Sequence, residues 1–195
     1  MIWNLPNILT LLRLLAAPAL AVMFLYFDRP YADWFALILF AGASITDWID
    51  GYLARAWKQE TKMGAMLDPI ADKAMVVIAL MILVGYSHEH WTPWLVLPAT
   101  VILFREVFVS GLREFLGDVA GTLKVTKLAK WKTTLQMVAI AVLFAQGIFE
   151  HYGNATGASW TGNAGLVLIW IAAALTLITG VDYLRKAMPH LKETS

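Results

Sequence analysis

The chain has 195 residues, 59% of them hydrophobic and 15% charged, and its mean hydropathy is +0.65. Soluble domains carry about 25% charge, so this reads as an integral membrane protein. A formal net charge of +1 offers no basic surface for nucleic acid, and zero cysteines exclude disulfides and thiolate metal sites.

The opening residues, Met1-Ile2-Trp3-Asn4-Leu5-Pro6-Asn7, have no basic start, and no small-residue cleavage site follows the first apolar run. They read as mature sequence, with residues 1–7 forming a short interfacial segment and Asn7 as the N-cap of the first span. Six apolar stretches then follow, each long enough to cross about 30 Å of hydrocarbon at about 1.5 Å per residue. They are Ile8–Phe27, Trp34–Ile49, Leu67–Tyr86, Trp94–Phe115, Thr133–Phe149 and Ala164–Tyr183. The second should continue as helix to about Trp57, because Gly51 is its only helix-weakening residue. The polar tail, residues 186–195, reads as mobile. The expected fold is all-α, a single membrane-embedded domain over residues 1–195 with six transmembrane helices.

The connections alternate in charge. Arg55, Lys58 and Lys62 lie between spans two and three, and Arg113, Lys124, Lys127, Lys130 and Lys132 lie around the connection of spans four and five. Arg185, Lys186 and Lys192 follow span six, whereas the opposite connections contain only Arg29. The positive-inside rule then makes both termini cytoplasmic. Trp34, Trp91, Trp94 and Trp160 would belt the outer interface, with Trp48, Trp57 and Trp131 near the inner one.

Between spans two and three the chain reads Asp47-x-x-Asp50-Gly51-x-x-Ala54-Arg55, then eight residues, then Gly64-x-x-x-Asp68-x-x-x-Asp72. Eight identities at fixed spacing arise by chance on the order of 10⁻⁷ per chain. Asp47 and Asp50 share one helical face, as do Asp68 and Asp72 on the next helix. The short basic loop predicts that these two helices are antiparallel neighbours, which would bring both pairs into one pocket. Two carboxylates at about 6 Å repel by about 3 kcal/mol at an effective dielectric near 20. Four converging acids therefore call for cations, and all-oxygen ligation suits Mg²⁺, Mn²⁺ or Ca²⁺ rather than zinc. Arg55 can fork onto a phosphate, and Gly51 and Ala54 leave room for a ligand near the helix backbone. Taken singly, Asp68 before Pro69 also reads as an N-cap, and Gly51 and Ala54 as close-packing residues.

At these positions the chain resembles the CDP-alcohol phosphatidyltransferase family, whose signature is matched without departure. The resemblance implies a homodimeric membrane enzyme with six transmembrane helices, which moves a phosphatidyl-type group from a CDP-linked donor to an alcohol. It further implies that Asp47, Asp50, Asp68 and Asp72 surround two cations, Mg²⁺ or Mn²⁺, with Asp72 as the general base. Gly51, Ala54, Arg55 and Gly64 would bind the CDP moiety. A narrower resemblance points to bacterial members that use CDP-diacylglycerol as donor and glycerol 3-phosphate as acceptor. It is carried by Asn4-Leu5-Pro6-Asn7-x-Leu9-Thr10-x-x-Arg13, Thr46-Asp47-Trp48, Leu67-Asp68-Pro69-x-Ala71-Asp72-Lys73, Arg105-Glu106, Arg113-Glu114 and Lys130-Trp131-Lys132-Thr133. That likeness places the protein in a bacterial inner membrane, among membrane lipid, with its active site facing the cytoplasm.

The charge pattern supports an anionic acceptor independently. Arg105 lies within span four, eight residues before Arg113, and Lys127, Lys130 and Lys132 crowd the start of span five. A neutral alcohol would not need this much positive charge, whereas a phosphomonoester would. Arg105, Arg113, Lys130 and Lys132 are the expected acceptor-phosphate ligands, with Asn7, Thr10, Arg13, Lys73 and Lys127 in support. Arg13 and Lys73 read first as partners of the acids and second as substrate contacts. Lysines at these ends also serve as a positive-inside signal. The same chemistry on serine, inositol phosphate or phosphatidylglycerol is the alternative within the family. A cation transporter is the alternative outside it, although no charges lead from the acids toward the outer face.

Overall fold

The computed structural model describes residues 4–56, 61–86, 92–117 and 127–191, without the side chains of residues 6, 44, 47–56 and 127–130. Six helices follow one another there: α1 (Leu5–Tyr26), α2 (Tyr31–Ala56), α3 (Lys62–Tyr86), α4 (Pro93–Leu116), α5 (Lys127–His151) and α6 (Ala155–Leu191). Four of them contain stretches long and apolar enough to cross a membrane, Asn7–Tyr26, Pro93–Leu116, Trp131–His151 and Ala155–Leu191. Tyr31–Ala43 in α2 is a shorter apolar stretch. The protein is thus all-helical with the makings of a multi-pass membrane protein.

Several helix ends differ from the sequence expectation, each for a local reason. Asn4, not Asn7, caps α1: it is extended, and its side-chain oxygen accepts the Asn7 N–H at 3.0 Å. Leu5–Asn7 accordingly form the first turn of the helix rather than a separate interfacial segment; residues 1–3 lie outside the described residues. Thr61 plays the same part for α3, its hydroxyl accepting the Gly64 N–H at 3.0 Å. That earlier start puts Asp68 and Pro69 inside the helix and removes the N-cap reading of Asp68. The α2 helix runs unbroken through Asp50 and Gly51 to Ala56.

At the far end, the expected connection Glu150–Asn163 shrinks to a turn over Tyr152–Asn154. Gly153 takes a left-handed φ of 69°, and Asn154 caps α6 by accepting the Gly157 N–H at 2.8 Å. The supposedly mobile tail is also corrected as far as Leu191, because α6 runs for 37 residues and ends there. At about 1.5 Å per residue such a helix is longer than a bilayer core is thick. Residues 192–195 lie outside the described residues.

The helices meet through small residues. Ala17, Ala32, Ala36, Ala79, Ala139 and Ala172 are wholly buried, and between them Phe40, Phe144, Leu20, Met75, Leu80, Ile102, Ile140 and Ile169 fill the interior. Packing is heaviest between α5 and α6, then between α1 and α3, with α4 on α6, α2 on α5 and α1 on α2. Among the described residues, close packing of α2 is with α5 and α1, and α1 packs against both α2 and α3. At the start of α2 Arg29 grips the fully buried Asp33 through two hydrogen bonds of 2.6 Å. Those bonds hold the Arg29 guanidinium above its ordinary pKa.

Close approach of α5 and α6 depends on Gly165, where a Cβ would come within 2.7 Å of the Leu143 side chain and 3.3 Å of its backbone nitrogen. Gly165→Val should therefore cost about 1–3 kcal/mol by forcing the helices apart. Gly42→Ala, with nothing within 4 Å of the added methyl, should not. Thermal unfolding of both variants in detergent checks this, and equal midpoints would refute it.

Candidate active site

The site begins with a stripe on α1. Asn7, Thr10 and Arg13 recur every three residues, so they share one helical face, and all three are buried. An apolar helix buries such groups only against partners, and α3 supplies them. Thr61 donates to Asn7 Oδ1 at 2.9 Å, and Thr10 donates its hydroxyl to Asp68 Oδ1. Arg13 reaches Asp72 Oδ1 at 3.1 Å and Asp68 Oδ1 at 3.7 Å. Gly64 is buried where these helices touch, and a Cβ there would lie 2.6 Å from Asn7 Oδ1. The expectation that Arg13 partners the acids is met.

Asp68 and Asp72 are only half-buried, with 46% and 34% of their side-chain surfaces accessible. One side of each carboxylate pair is thus held by α1 while the other faces out of the helix contact. Such an oxygen-only face fits a hard divalent cation. Among the described residues no three acidic or histidine side chains cluster. The side chains of Asp47, Asp50, Gly51, Ala54 and Arg55, and likewise of Lys127 and Lys130, lie outside the described residues, although all seven stand on helices.

Beside Asp72 opens a cavity of about 220 Å³. Its charged lining comes from three helices: Asp72 and Lys73 from α3, Arg105, Glu106 and Arg113 from α4, and Lys132 from α5. Three of the four expected acceptor ligands, Arg105, Arg113 and Lys132, are therefore brought together with the expected base. Four cationic side chains face two carboxylates, so the chamber carries excess positive charge.

The cations are held in place rather than left to swing. Glu106 accepts from Arg105 Nη1 at 3.0 Å and also pairs with Lys132. Arg105 and Lys132 are nearly buried, so without Glu106 their charges would stand close together in a medium of low dielectric. Arg113 lies over the Tyr183 ring, 5.2 Å from its centre, which fixes the guanidinium plane at the cavity wall. Lys73 donates to Ser110 Oγ at 2.5 Å, and Ser110 in turn donates to the Glu106 carbonyl at 2.6 Å. Lys73 thereby ties α3 to α4.

Sequence reasoning gave no role to Ser110, Gln136, Thr179 or Tyr183. A signal existed for two of them. Lys132 and Gln136 are four apart, as are Glu106 and Ser110, and polar pairs at that spacing on an apolar helix mark an inward face. Tyr183 and Thr179 sit on α6, far along the chain, and nothing local identifies them as neighbours of Arg113 and Arg105.

Removing Arg13 would leave two facing carboxylates without their shared guanidinium. Arg13→Ala should destabilise by about 1–3 kcal/mol, less than a fully buried pair because both acids are partly solvated. Thr10→Val should cost about 1–2 kcal/mol. Unchanged thermal midpoints in both variants would show that the α1–α3 polar seam contributes nothing.

The family model for CDP-alcohol phosphatidyltransferase matches residues 3–178. A Cereibacter sphaeroides protein named CDP-diacylglycerol–glycerol-3-phosphate 3-phosphatidyltransferase is 63% identical over 98% of both chains. Proteins of the same name from Haemophilus influenzae and Escherichia coli are each 38% identical, covering 97% of this chain and 96% and 97% of their own.

Proposed function

The chain belongs to the CDP-alcohol phosphatidyltransferase family, and on that premise we propose that it transfers the phosphatidyl group of CDP-diacylglycerol to the sn-1 hydroxyl of glycerol 3-phosphate. The products are phosphatidylglycerol phosphate and CMP. The observation that carries this reading is the chamber in which Asp72 adjoins Arg105, Arg113 and Lys132. A base beside fixed cations suits an alcohol that is itself a phosphomonoester. The names of the bacterial relatives support the same donor and acceptor.

Arg105, Arg113, Lys132 and the neighbouring Lys130 hold the acceptor phosphate, with Lys127 adding to the local positive charge. Asp72, oriented by Arg13, accepts the proton of the sn-1 hydroxyl as its oxygen attacks the donor's phosphatidyl phosphorus. The bond to CMP breaks as the new phosphodiester forms. Gly51, Ala54 and Arg55 take the CDP moiety, and Gly64 serves it by letting α1 close on α3. The family is generally divalent-cation dependent. Asp47, Asp50, Asp68 and Asp72 would hold two Mg²⁺ or Mn²⁺ ions, whose charge offsets that of the pyrophosphate.

Around this site the proposal extends to a single domain over residues 1–195 with six membrane crossings. Both termini and the active site face the cytoplasm of a bacterial inner membrane, where the protein is a homodimer among membrane lipids. The charge asymmetry of the connections supports that orientation.

Purified protein in detergent should release CMP from CDP-diacylglycerol with glycerol 3-phosphate, and not with serine, inositol phosphate or phosphatidylglycerol. EDTA should abolish release and Mg²⁺ or Mn²⁺ restore it. Release with a different acceptor would discard the cationic acceptor site, and ion flux without CMP release would favour a transporter. Asp72→Asn should retain donor binding while turnover falls by about 10²–10⁴-fold; near-normal turnover would remove its role as base. Arg113→Ala and Lys132→Ala should mainly raise the KM for glycerol 3-phosphate. A rise confined to the KM for the CDP-lipid would show that the acceptor phosphate sits elsewhere.

A further inference from the structure

Gln136 stands one helical turn beyond Lys132 on α5 and lines the same cavity as Asp72, Arg105, Glu106 and Lys132. It is 2% exposed, and its side-chain oxygen is buried without a hydrogen-bond partner. Neutral side chains elsewhere in the described bundle also bury an unpartnered oxygen, namely Thr176 and Tyr183, but neither lines the cavity. Native interiors rarely leave a polar group unsatisfied, and one that faces a chamber is poised for a ligand. The charged neighbours already have partners: Glu106 binds Arg105 and Lys132, Lys73 binds Ser110, and Arg113 covers Tyr183; only Arg105 Nε among their described atoms is also buried and unpartnered, and it can only donate.

The chemistry of the missing partner follows from the rest of the wall. An acceptor held by its phosphate at the cations, with one hydroxyl at Asp72, has a single polar group unaccounted for if it is a glycerol phosphate. That group is the secondary hydroxyl, which lies between the two ends. An amide both donates and accepts, so it matches a hydroxyl without altering the charge of the chamber. We propose that the Gln136 amide receives the secondary hydroxyl of the acceptor, making Gln136 a specificity-determining residue for a glycerol phosphate over its deoxy analogue. The inference rests on the transfer reaction proposed above.

The test compares glycerol 3-phosphate with 3-hydroxypropyl phosphate, which lacks only the secondary hydroxyl, using CMP release by the full-length protein in detergent. The wild type should prefer glycerol 3-phosphate by about 10- to 100-fold in kcat/KM, as expected when a buried polar group loses its partner. Gln136→Met should lose that preference by slowing the natural acceptor alone, with the KM for CDP-diacylglycerol unchanged. Gln136→Asn, which withdraws the amide by one methylene, should lose it in part and provides the comparison if the Met variant fails to fold. Equal use of both acceptors by the wild type would overturn the assignment without any variant. An equal loss on both acceptors in the variants would reduce Gln136 to a packing residue and overturn it too. No CMP release with either acceptor would instead overturn the transfer reaction on which the inference rests.

Discussion

A charged group inside an apolar helical bundle must be compensated where it stands, because neither water nor lipid will solvate it there. The pairing of Arg13 with Asp72 and Asp68 answers that requirement for the buried guanidinium of α1, and much of the architecture depends on it. It fixes the rotation of α1 about its own axis, since Asn7, Thr10 and Arg13 must all face α3. With that face committed, α1 also packs against α2, and so it is the element through which the two acid-bearing helices are related. The carboxylates remain half-accessible on their other side, which keeps them usable by a ligand.

The same constraint, with signs reversed, governs the chamber beside them. Fixed cations attract an anionic substrate only if they are present before it arrives, and buried cations persist only if something holds them. Glu106 does this for Arg105 and Lys132, while leaving the chamber with more positive than negative groups. Binding an anion there completes the charge balance. Because the cations come from both α4 and α5, and the base from α3, the site depends on the tertiary arrangement of three helices that touch one another only lightly or through α6. The close contacts that keep them in register are made by Gly165 against Leu143 and by Gly180 against Arg105.

One end of the bundle thus sets half-exposed acids next to nearly buried cations. The opposite end carries its own pair, the partly exposed Arg29 with the buried Asp33, whose groups satisfy each other. The two ends differ in kind: mutual saturation at the Arg29 pair, an acid with accessible surface beside surplus cations at the other.

Hydropathy and helical spacing in the chain were enough to determine that it is helical, with segments apolar enough to cross a membrane, and that Asp68 and Asp72 share a face. These are local properties, set by side-chain transfer energies and by the 3.6-residue turn, and they survive whatever the neighbours are. The tertiary structure alone decided that α1 packs against both α2 and α3, that Lys73 bonds Ser110, and that the Gln136 side-chain oxygen faces the chamber unpartnered. It also decided the ends of α3 and α6, where Thr61 and Asn154 caps outweigh the hydropathy boundary. The physical reason is that protein-facing and lipid-facing residues are about equally apolar in a membrane bundle. Hydrophobicity therefore says which segments are helices, but only packing and polar pairing say which faces meet.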